Sequence, residues 1–116
     1  MRAVAVAKVG DFAPVQLVAV PVLDPMLRRI RRSIAESEIV ISIHALEELD
    51  SDGFTGVDVE CCVLTGAIVE RQRDLGTAEW KYVIQGRSTS GEECVVVVKW
   101  TPTGRVRVLT AFSLDR

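Results

Sequence analysis

The chain has 116 residues, 48% of them apolar, and a formal net charge of −2 at pH 7. This length and composition predict one globular domain with its own core and argue against a disordered chain. No apolar run reaches the roughly 18 residues that a membrane helix needs, and no cleavage pattern of a signal peptide follows the N-terminus. We therefore expect a cytoplasmic protein that does not engage a membrane.

The cysteine pattern argues against a metal or disulfide framework. Three cysteines, Cys61, Cys62 and Cys94, are an odd number, and two of them are adjacent. Neither zinc-ligand spacing nor paired bridges fit this arrangement. We expect reduced, buried thiols, and we expect neither a metal nor another cofactor.

Residues 1–23 are rich in valine but interrupted by Pro14 and Pro21, and we interpret them as an N-terminal extension that could form a strand or two. A single domain is predicted over residues 24–116. It opens with Asp24-Pro25, a helix cap followed by proline, and helical spacing of apolar residues predicts a first helix over residues 25–36. Its arginines are expected on a solvated face, although they could also hold phosphate or an acidic segment of a partner.

Two short helices are predicted after a β-branched run at residues 38–43. Ser42 is positioned to cap the first of them, and Thr55, with Asp58 three residues on, the second. Gly66 ends the second at a position that favours the left-handed conformation.

Four alternating segments, at residues 67–73, 79–87, 94–100 and 105–113, predict an antiparallel meander. The predicted fold class is α+β, with two to three N-terminal helices packed on one face of an antiparallel sheet of four or more strands. In the last strand, uninterrupted alternation places Thr110 and Phe112 with Val106 and Val108 on one face. Leu109 and Ala111 fall on the other face, with Arg105 and Arg107.

Charge is unevenly distributed along the chain. Between residues 33 and 70 there are nine acidic residues and no Lys or Arg, whereas residues 71–116 hold eight basic and five acidic residues. The basic positions of the last three strands share one parity, which predicts a basic sheet face directed away from the helices, formed by Lys81, Arg87, Lys99, Arg105 and Arg107. Such a face suits an anionic ligand such as RNA. An ordinary solvated sheet face, whose charges deter edge pairing, explains the same pattern equally well.

An ordered set of short motifs resembles the domain-of-unknown-function family 4258. The motifs are His44-Ala45, Asp58-Val59, GAIVE at residues 66–70, YVIQG at residues 82–86, VVVV at residues 95–98 and LTAF at residues 109–112. The resemblance covers about residues 27–114. The family is similar to the RelE-type toxins, small bacterial ribonuclease-like proteins that often occur beside an antitoxin, so the resemblance implies a RelE/barnase-like fold.

The resemblance also implies metal-independent RNA cleavage, in which the 2′-OH attacks its own phosphodiester. His44, the only histidine, would serve as the acid/base group, and Lys81 and Arg87 would complete the catalytic set by holding the phosphate. Five further basic residues would contact the RNA: Lys99, Arg105, Arg107, Arg71 and Arg73. The expected partners are RNA and an antitoxin-like protein.

Two positions depart from the family pattern. Glu48 stands where the family has an arginine after His-Ala, and Phe112 stands where it has a tyrosine. Both departures favour an alternative, a non-catalytic protein-interaction module of the same fold. His44 would then only cap its helix or bond a backbone carbonyl of the sheet. A metabolic enzyme is a third alternative and would need a deep apolar pocket.

Overall fold

The computed structural model describes residues 24–73, 75–77 and 79–115. The predicted N-terminal extension over residues 1–23 lies outside these residues. The described elements are, in chain order, α1 (Pro25–Ala35), β1 (Ile39–Ile41), α2 (Ile43–Asp52), α3 (Gly56–Thr65), β2 (Ala67–Arg73), β3 (Trp80–Arg87), β4 (Glu93–Trp100) and β5 (Val106–Ser113). The α+β prediction is confirmed.

The described strands form one mixed sheet in the order β1-β5-β4-β3-β2. Strands β2 to β5 are the predicted antiparallel meander. The expectation of a purely antiparallel sheet is wrong, because β1 adds to the edge of β5 in parallel, with Ile39 opposite Val106 and Ile41 opposite Val108. Only three residues of β1 pair, and a run so short carries no alternation from which its direction could be read.

Side-chain caps begin α1 and α2 where the sequence predicts them. The Asp24 carboxylate accepts hydrogen bonds from the backbone N–H groups of Met26 and Leu27, at 3.0 and 3.3 Å. The Ser42 hydroxyl accepts from the N–H of Ala45 at 3.1 Å. Both caps satisfy N–H groups that lack partners inside the helix, and they set the first residue of each helix.

Gly66 ends α3 for a reason other than the one predicted. Its φ of −98° and ψ of −170° are extended rather than left-handed. A Cβ at this position would lie 2.6 Å from the carbonyl oxygen of Cys62 and would overlap that of Gln85. Gly86 in β3 is restricted in the same way, since its Cβ would overlap the Cys62 carbonyl. The two glycines allow the end of α3 to lie directly on the sheet.

The helices pack on one side of the sheet, which we call the helix face. Residues of all three helices share one buried cluster with the inward side chains of the strands, including Ile30, Leu49, Val63, Ile84 and Val96. The principal core of the domain therefore lies between this helical layer and the sheet.

No helix of the described region is long and apolar enough to cross a membrane.

The opposite side of the sheet carries a second buried cluster. We call it the valine face, and it consists of Val83, Val95, Val97 and Phe112, with Val69, Leu109 and Leu114 packed at its margins. Its central valines are buried as completely as residues of the principal core. Every member of this cluster comes from the strands or from the segment directly after β5.

A β-bulge in β5 corrects the predicted alternation of that strand. Val98 pairs with Val108, but Val97 pairs with Thr110, so Leu109 is the extra residue. Ala111 consequently lies in the helix-face cluster and Phe112 in the valine face, opposite to the prediction. A bulge shifts every later side chain by one position, and local alternation does not reveal it.

Candidate functional site

Three basic side chains lie at one end of the valine face, and we call them the cation row: Lys81, Lys99 and Arg107. Lys99 of β4 is directly opposite Arg107 of β5. Lys81 precedes Tyr82, which pairs with Val98, so it comes from β3 at the same end of the sheet. Lys81 and Lys99 each lie two residues from a valine of the valine face, Val83 and Val97, so they share that face, and Arg107 shares it because it pairs with Lys99. Neighbouring strands are about 5 Å apart, so this row concentrates positive charge.

Partners within the described residues neutralise only part of this charge. The Lys99 ammonium lies 2.9 Å from the Glu79 carboxylate. Lys81 and Arg107 form no ion pair with the described residues. Arg105, which precedes β5, pairs with Glu38 at 2.9 Å. The row thus retains two cations available for an anionic ligand.

Arg87 is not part of this row. It lies six residues after Lys81 on β3, about 20 Å away along the strand. Its guanidinium donates to the carbonyl of Gly91 at 3.0 Å and lies 3.7 Å from the Glu93 carboxylate. The residues expected to form the catalytic set are therefore not brought together, because Lys81 and Arg87 occupy opposite ends of one strand.

Arg71 and Arg73 lie on the other side of the sheet. Arg71 of β2 is stacked over the ring of Tyr82 at 5.9 Å, and Arg73 over the ring of Trp80 at 5.5 Å. Arg71 also lies 3.8 Å from the carboxylate of Asp24. These contacts attach β2 to its neighbours and to the start of α1, and they separate both arginines from the cation row.

His44 lies in the first turn of α2, with 69% of its side chain exposed. Its Nε2 is 3.4 Å from the carboxylate of Glu48, one helical turn later. The Thr110 hydroxyl donates a hydrogen bond to the same carboxylate. Threonine, glutamate and histidine thus form a continuous polar chain from the valine face of β5 to solvent, with the imidazole at its accessible end.

Side chains of α2, and not His44, attach this helix to the sheet. The Ser42 hydroxyl donates to the carbonyl of Leu109 at 3.2 Å. Farther along β5, past the three residues that pair with β1, two carboxylates accept hydrogen bonds from the strand. Glu48 accepts from the N–H of Ala111 at 3.1 Å, and Asp52 accepts from the N–H of Ser113 at 2.7 Å. The ring of His44 makes no bond to a backbone carbonyl of the described region, unlike the alternative role expected for it.

Sequence reasoning missed this use of Glu48 and Asp52. From the sequence, Glu48 stands out only as a departure from the family pattern, and Thr110 does not stand out at all. The available signal was the spacing of His44, Glu48 and Asp52, which lie four residues apart and therefore on one side of a helix.

A shallow cleft of about 290 Å³ opens between α2 and β5. It is lined by Glu48, Ser51, Asp52 and Phe112. Its two carboxylates would repel a phosphate group. Arg107 is not among the residues that line this cleft. It lies three residues before Thr110 on β5, about 10 Å away along the strand.

Asp58 ties the β3–β4 hairpin loop to the start of α3. Its carboxylate accepts hydrogen bonds from the N–H and hydroxyl of Thr89, at 3.0 and 2.6 Å, and from the N–H of Thr55 at 2.8 Å. Burial tends to raise the pKa of Asp58, but the bonds from Thr89 and Thr55 together outweigh it, so the pKa lies below its ordinary value. Asp58 is a charged structural tether.

The cysteines are free thiols, with Cys61 half-buried and Cys62 and Cys94 buried. The hydrogen bond with Cys94, and then burial, raise the pKa of the Cys62 thiol well above its ordinary value. Cys62 is therefore neutral and a poor nucleophile. Within residues 24–73, 75–77 and 79–115, no three His, Cys, Asp or Glu side chains are grouped to hold a metal ion.

Comparison with known families gives a match to one described family model. The family described as "Domain of unknown function (DUF4258)" matches residues 41–113, which is more than half of the chain. The match begins in β1 and ends with β5, so α1 lies outside it, although the sequence motifs predict a resemblance from about residue 27. None of the curated proteins or solved structures matches the chain.

Proposed function

The chain belongs to the DUF4258 family, and we propose that it binds RNA through the cation row, with His44 as a proton-transfer group beside the bound strand. The observation that carries this proposal is the direct pairing of Lys99 with Arg107, with Lys81 at the same end of the sheet. Like charges directly opposite each other destabilise a sheet. Glu79 offsets only the charge of Lys99, so phosphate groups bound beside Lys81 and Arg107 would relieve the repulsion that remains.

The proposed chemistry is cleavage by the RNA's own 2′-OH. His44 would accept the 2′ proton while the 2′ oxygen bonds to phosphorus, the bond from phosphorus to the 5′ oxygen breaks, and the 5′ oxygen takes a proton from solvent. Glu48 would orient the ring from 3.4 Å. The exposed ring, and the position of Arg107 three residues before Thr110 on β5, support this role.

We further propose that the domain is of the RelE-like toxin class and that it acts in the cytoplasm under the control of an antitoxin-like protein. Three helices on one face of a sheet whose last four strands form an antiparallel meander support a RelE/barnase-like arrangement. Expression of the chain alone should slow bacterial growth, and co-expression with its neighbouring reading frame should restore it.

RNA binding is tested with a labelled single-stranded RNA of about 20 nucleotides, measured by fluorescence anisotropy over a salt series. The Lys81→Ala/Arg107→Ala variant should bind about 10-fold more weakly or worse and show a smaller salt slope, by about 0.7 for each phosphate group that the variant no longer neutralises. The matched control is Arg28→Ala/Arg32→Ala, which removes two exposed cations from α1. Equal affinities of the two variants, or no binding by the unmodified chain, would refute the proposal.

Cleavage is tested separately with His44→Ala, using the same RNA in the presence of EDTA. We expect loss of products ending in a 2′,3′-cyclic phosphate, with RNA affinity retained. Glu47→Ala is the control, since Glu47 is an exposed neighbour on α2. Unchanged cleavage by His44→Ala would remove the imidazole from the mechanism.

A protein-interaction module is the second candidate, and it is favoured by exposed apolar side chains on α2. Ile43 and Leu46 are 76% and 50% exposed and lie three residues apart, hence on one side of the helix. Co-purification with the product of the neighbouring reading frame, abolished by Ile43→Asp/Leu46→Asp, together with no RNA binding, would favour this function.

A further inference from the structure

We propose that an unpaired base of the bound RNA stacks on the ring of Trp80, so that the domain selects single-stranded over double-stranded RNA. The inference rests on the proposed RNA binding, and it adds to that function a further contact and a class of substrate. Three observations carry it: the exposure of Trp80, the cation that lies over its ring, and its position next to the cation row.

Trp80 presents an aromatic ring that the fold does not bury. It is 46% exposed and belongs to neither of the two buried clusters. Its indole N–H donates no hydrogen bond to the described residues. A ring in this state offers both stacking surface and a hydrogen-bond donor to a ligand.

Trp100, the other tryptophan of the chain, is used differently. Its indole N–H donates to the sulfur of Met26 at 3.2 Å, and its ring packs against the helix-face cluster. Arg29 of α1 lies over the same ring at 5.0 Å. These contacts make Trp100 part of the junction between α1 and the sheet, whereas the described region gives Trp80 no such packing role.

Arg73 places a cation at the ring of Trp80. The two residues are directly opposite each other across β2 and β3, and the guanidinium lies 5.5 Å from the centre of the ring. Arg73 forms no ion pair with the described residues, unlike Arg71, which lies 3.8 Å from the Asp24 carboxylate. Sites for single strands combine rings that stack bases with cations that hold the backbone, and this pair of residues supplies both.

Trp80 lies at the same end of the sheet as the cation row. It directly precedes Lys81, the member of that row on β3. Successive side chains of a strand point to opposite sides, so RNA held by the row has to pass over the end of the sheet to reach the ring. A single strand can bend in this way and turn a base outwards, whereas a duplex is stiff and keeps its bases stacked inside the helix.

The contact is tested on the full chain with the labelled single-stranded RNA described above and with a duplex of the same length. Trp80→Ala should bind the single strand at least about 5-fold more weakly, which is the smallest loss expected for one stacked base. The salt slope should stay unchanged, because a stacked base releases no counterions. The affinity for the duplex should also stay unchanged.

Leu75→Ala is the matched control. Leu75 is 98% exposed in the connection between β2 and β3, so the substitution removes an apolar side chain from the same hairpin without removing a ring. This variant should bind both RNAs like the unmodified chain.

Tryptophan fluorescence provides a second measurement, which does not depend on the folding of Trp80→Ala. The single strand should quench the emission of the unmodified chain but not that of Trp80→Phe, in which only Trp100 emits. Trp80→Phe should retain most of the affinity, because a phenyl ring can still stack on a base.

Each result separates this contact from the proposed function. Equal single-strand affinities of Trp80→Ala and Leu75→Ala, an equal loss for single strand and duplex, or equal quenching of Trp80→Phe and the unmodified chain would overturn the stacking contact. The proposed function would stand in those cases if the Lys81→Ala/Arg107→Ala variant still bound more weakly. No binding by the unmodified chain would refute the proposed function and the stacking contact together.

Discussion

Glu48 accepts a hydrogen bond from the backbone N–H of Ala111 at 3.1 Å, at a part of β5 that β1 does not reach. Asp52 likewise accepts from the N–H of Ser113, and the Ser42 hydroxyl donates to the carbonyl of Leu109. Side chains of a helix therefore complete the hydrogen bonding of this strand where no further strand of the described region is present. The edge is consequently closed to pairing with another chain.

Substitution of Glu48 by alanine should lower the free energy of unfolding by about 2 kcal/mol, because the Ala111 N–H and the Thr110 hydroxyl would both be left without their acceptor. Glu48→Gln should cost less, since its amide oxygen can still accept. Urea unfolding followed by circular dichroism measures both. Glu47→Ala, on the exposed side of the same helix, should stay within about 0.5 kcal/mol, and a destabilisation equal to that of Glu48→Ala would contradict the assigned role.

The tether at Asp58 predicts a pH dependence of stability. Because its folded pKa is lowered, Asp58 contributes stability that is fully present above the ordinary aspartate value of 3.8 and is lost as the pH falls through the folded pKa. Asp58→Asn should therefore cost about 2 kcal/mol at pH 7, with the difference shrinking below pH 3.8. Chemical unfolding at several pH values measures this. Asp50→Asn, at an exposed position of α2, is the control, and a pH-independent effect of Asp58→Asn would refute the account.

Gly86→Ala should be among the most destabilising single changes in the described region, since its Cβ would overlap the carbonyl oxygen of Cys62. We expect a destabilisation above about 4 kcal/mol or a failure to fold. Gly56→Ala is the matched control, because its Cβ would meet only Ile41 at 3.8 Å. That control should be neutral or stabilising by up to about 1 kcal/mol. Thermal unfolding separates the two, and a Gly86→Ala protein as stable as the control would show that α3 does not approach the sheet so closely.

Arg31 closes the C-terminal end of α3. Its guanidinium donates to the carbonyls of Val63 at 3.0 Å and Gly66 at 2.9 Å. Arg31→Ala should cost about 1–2 kcal/mol, and Arg31→Lys should recover only part of this, because an ammonium does not have the planar fork that spans both acceptors. Arg28→Ala and Arg32→Ala, exposed on α1, should change the free energy of unfolding by less than about 0.5 kcal/mol. Similar destabilisation at all three arginines would mean that charge, and not this pair of hydrogen bonds, stabilises the helix.

The candidate site shows how far parity arguments reach. Alternation predicts the shared face of Lys81, Lys99 and Arg107, because these residues lie in strand segments with no bulge between them and their paired neighbours. Alternation does not place Arg71 and Arg73, which are expected only to contact RNA; their strand carries a register shift after Ile68, and they stack on the helix-face side of β2. Alternation fails after Leu109, where the bulge in β5 exchanges the faces of Ala111 and Phe112.

By itself the sequence determined the local structure: the caps at Asp24 and Ser42, the extent of the helices and strands, and the α+β class. These features depend on side chains a few residues apart, so they can be read along the chain. Only the tertiary structure decided the parallel pairing of β1, the bulges, the separation of Lys81 from Arg87 and the use of Glu48 as an edge partner. Each of these depends on which distant residue lies opposite, and that is set by packing across the sheet, which no local pattern encodes.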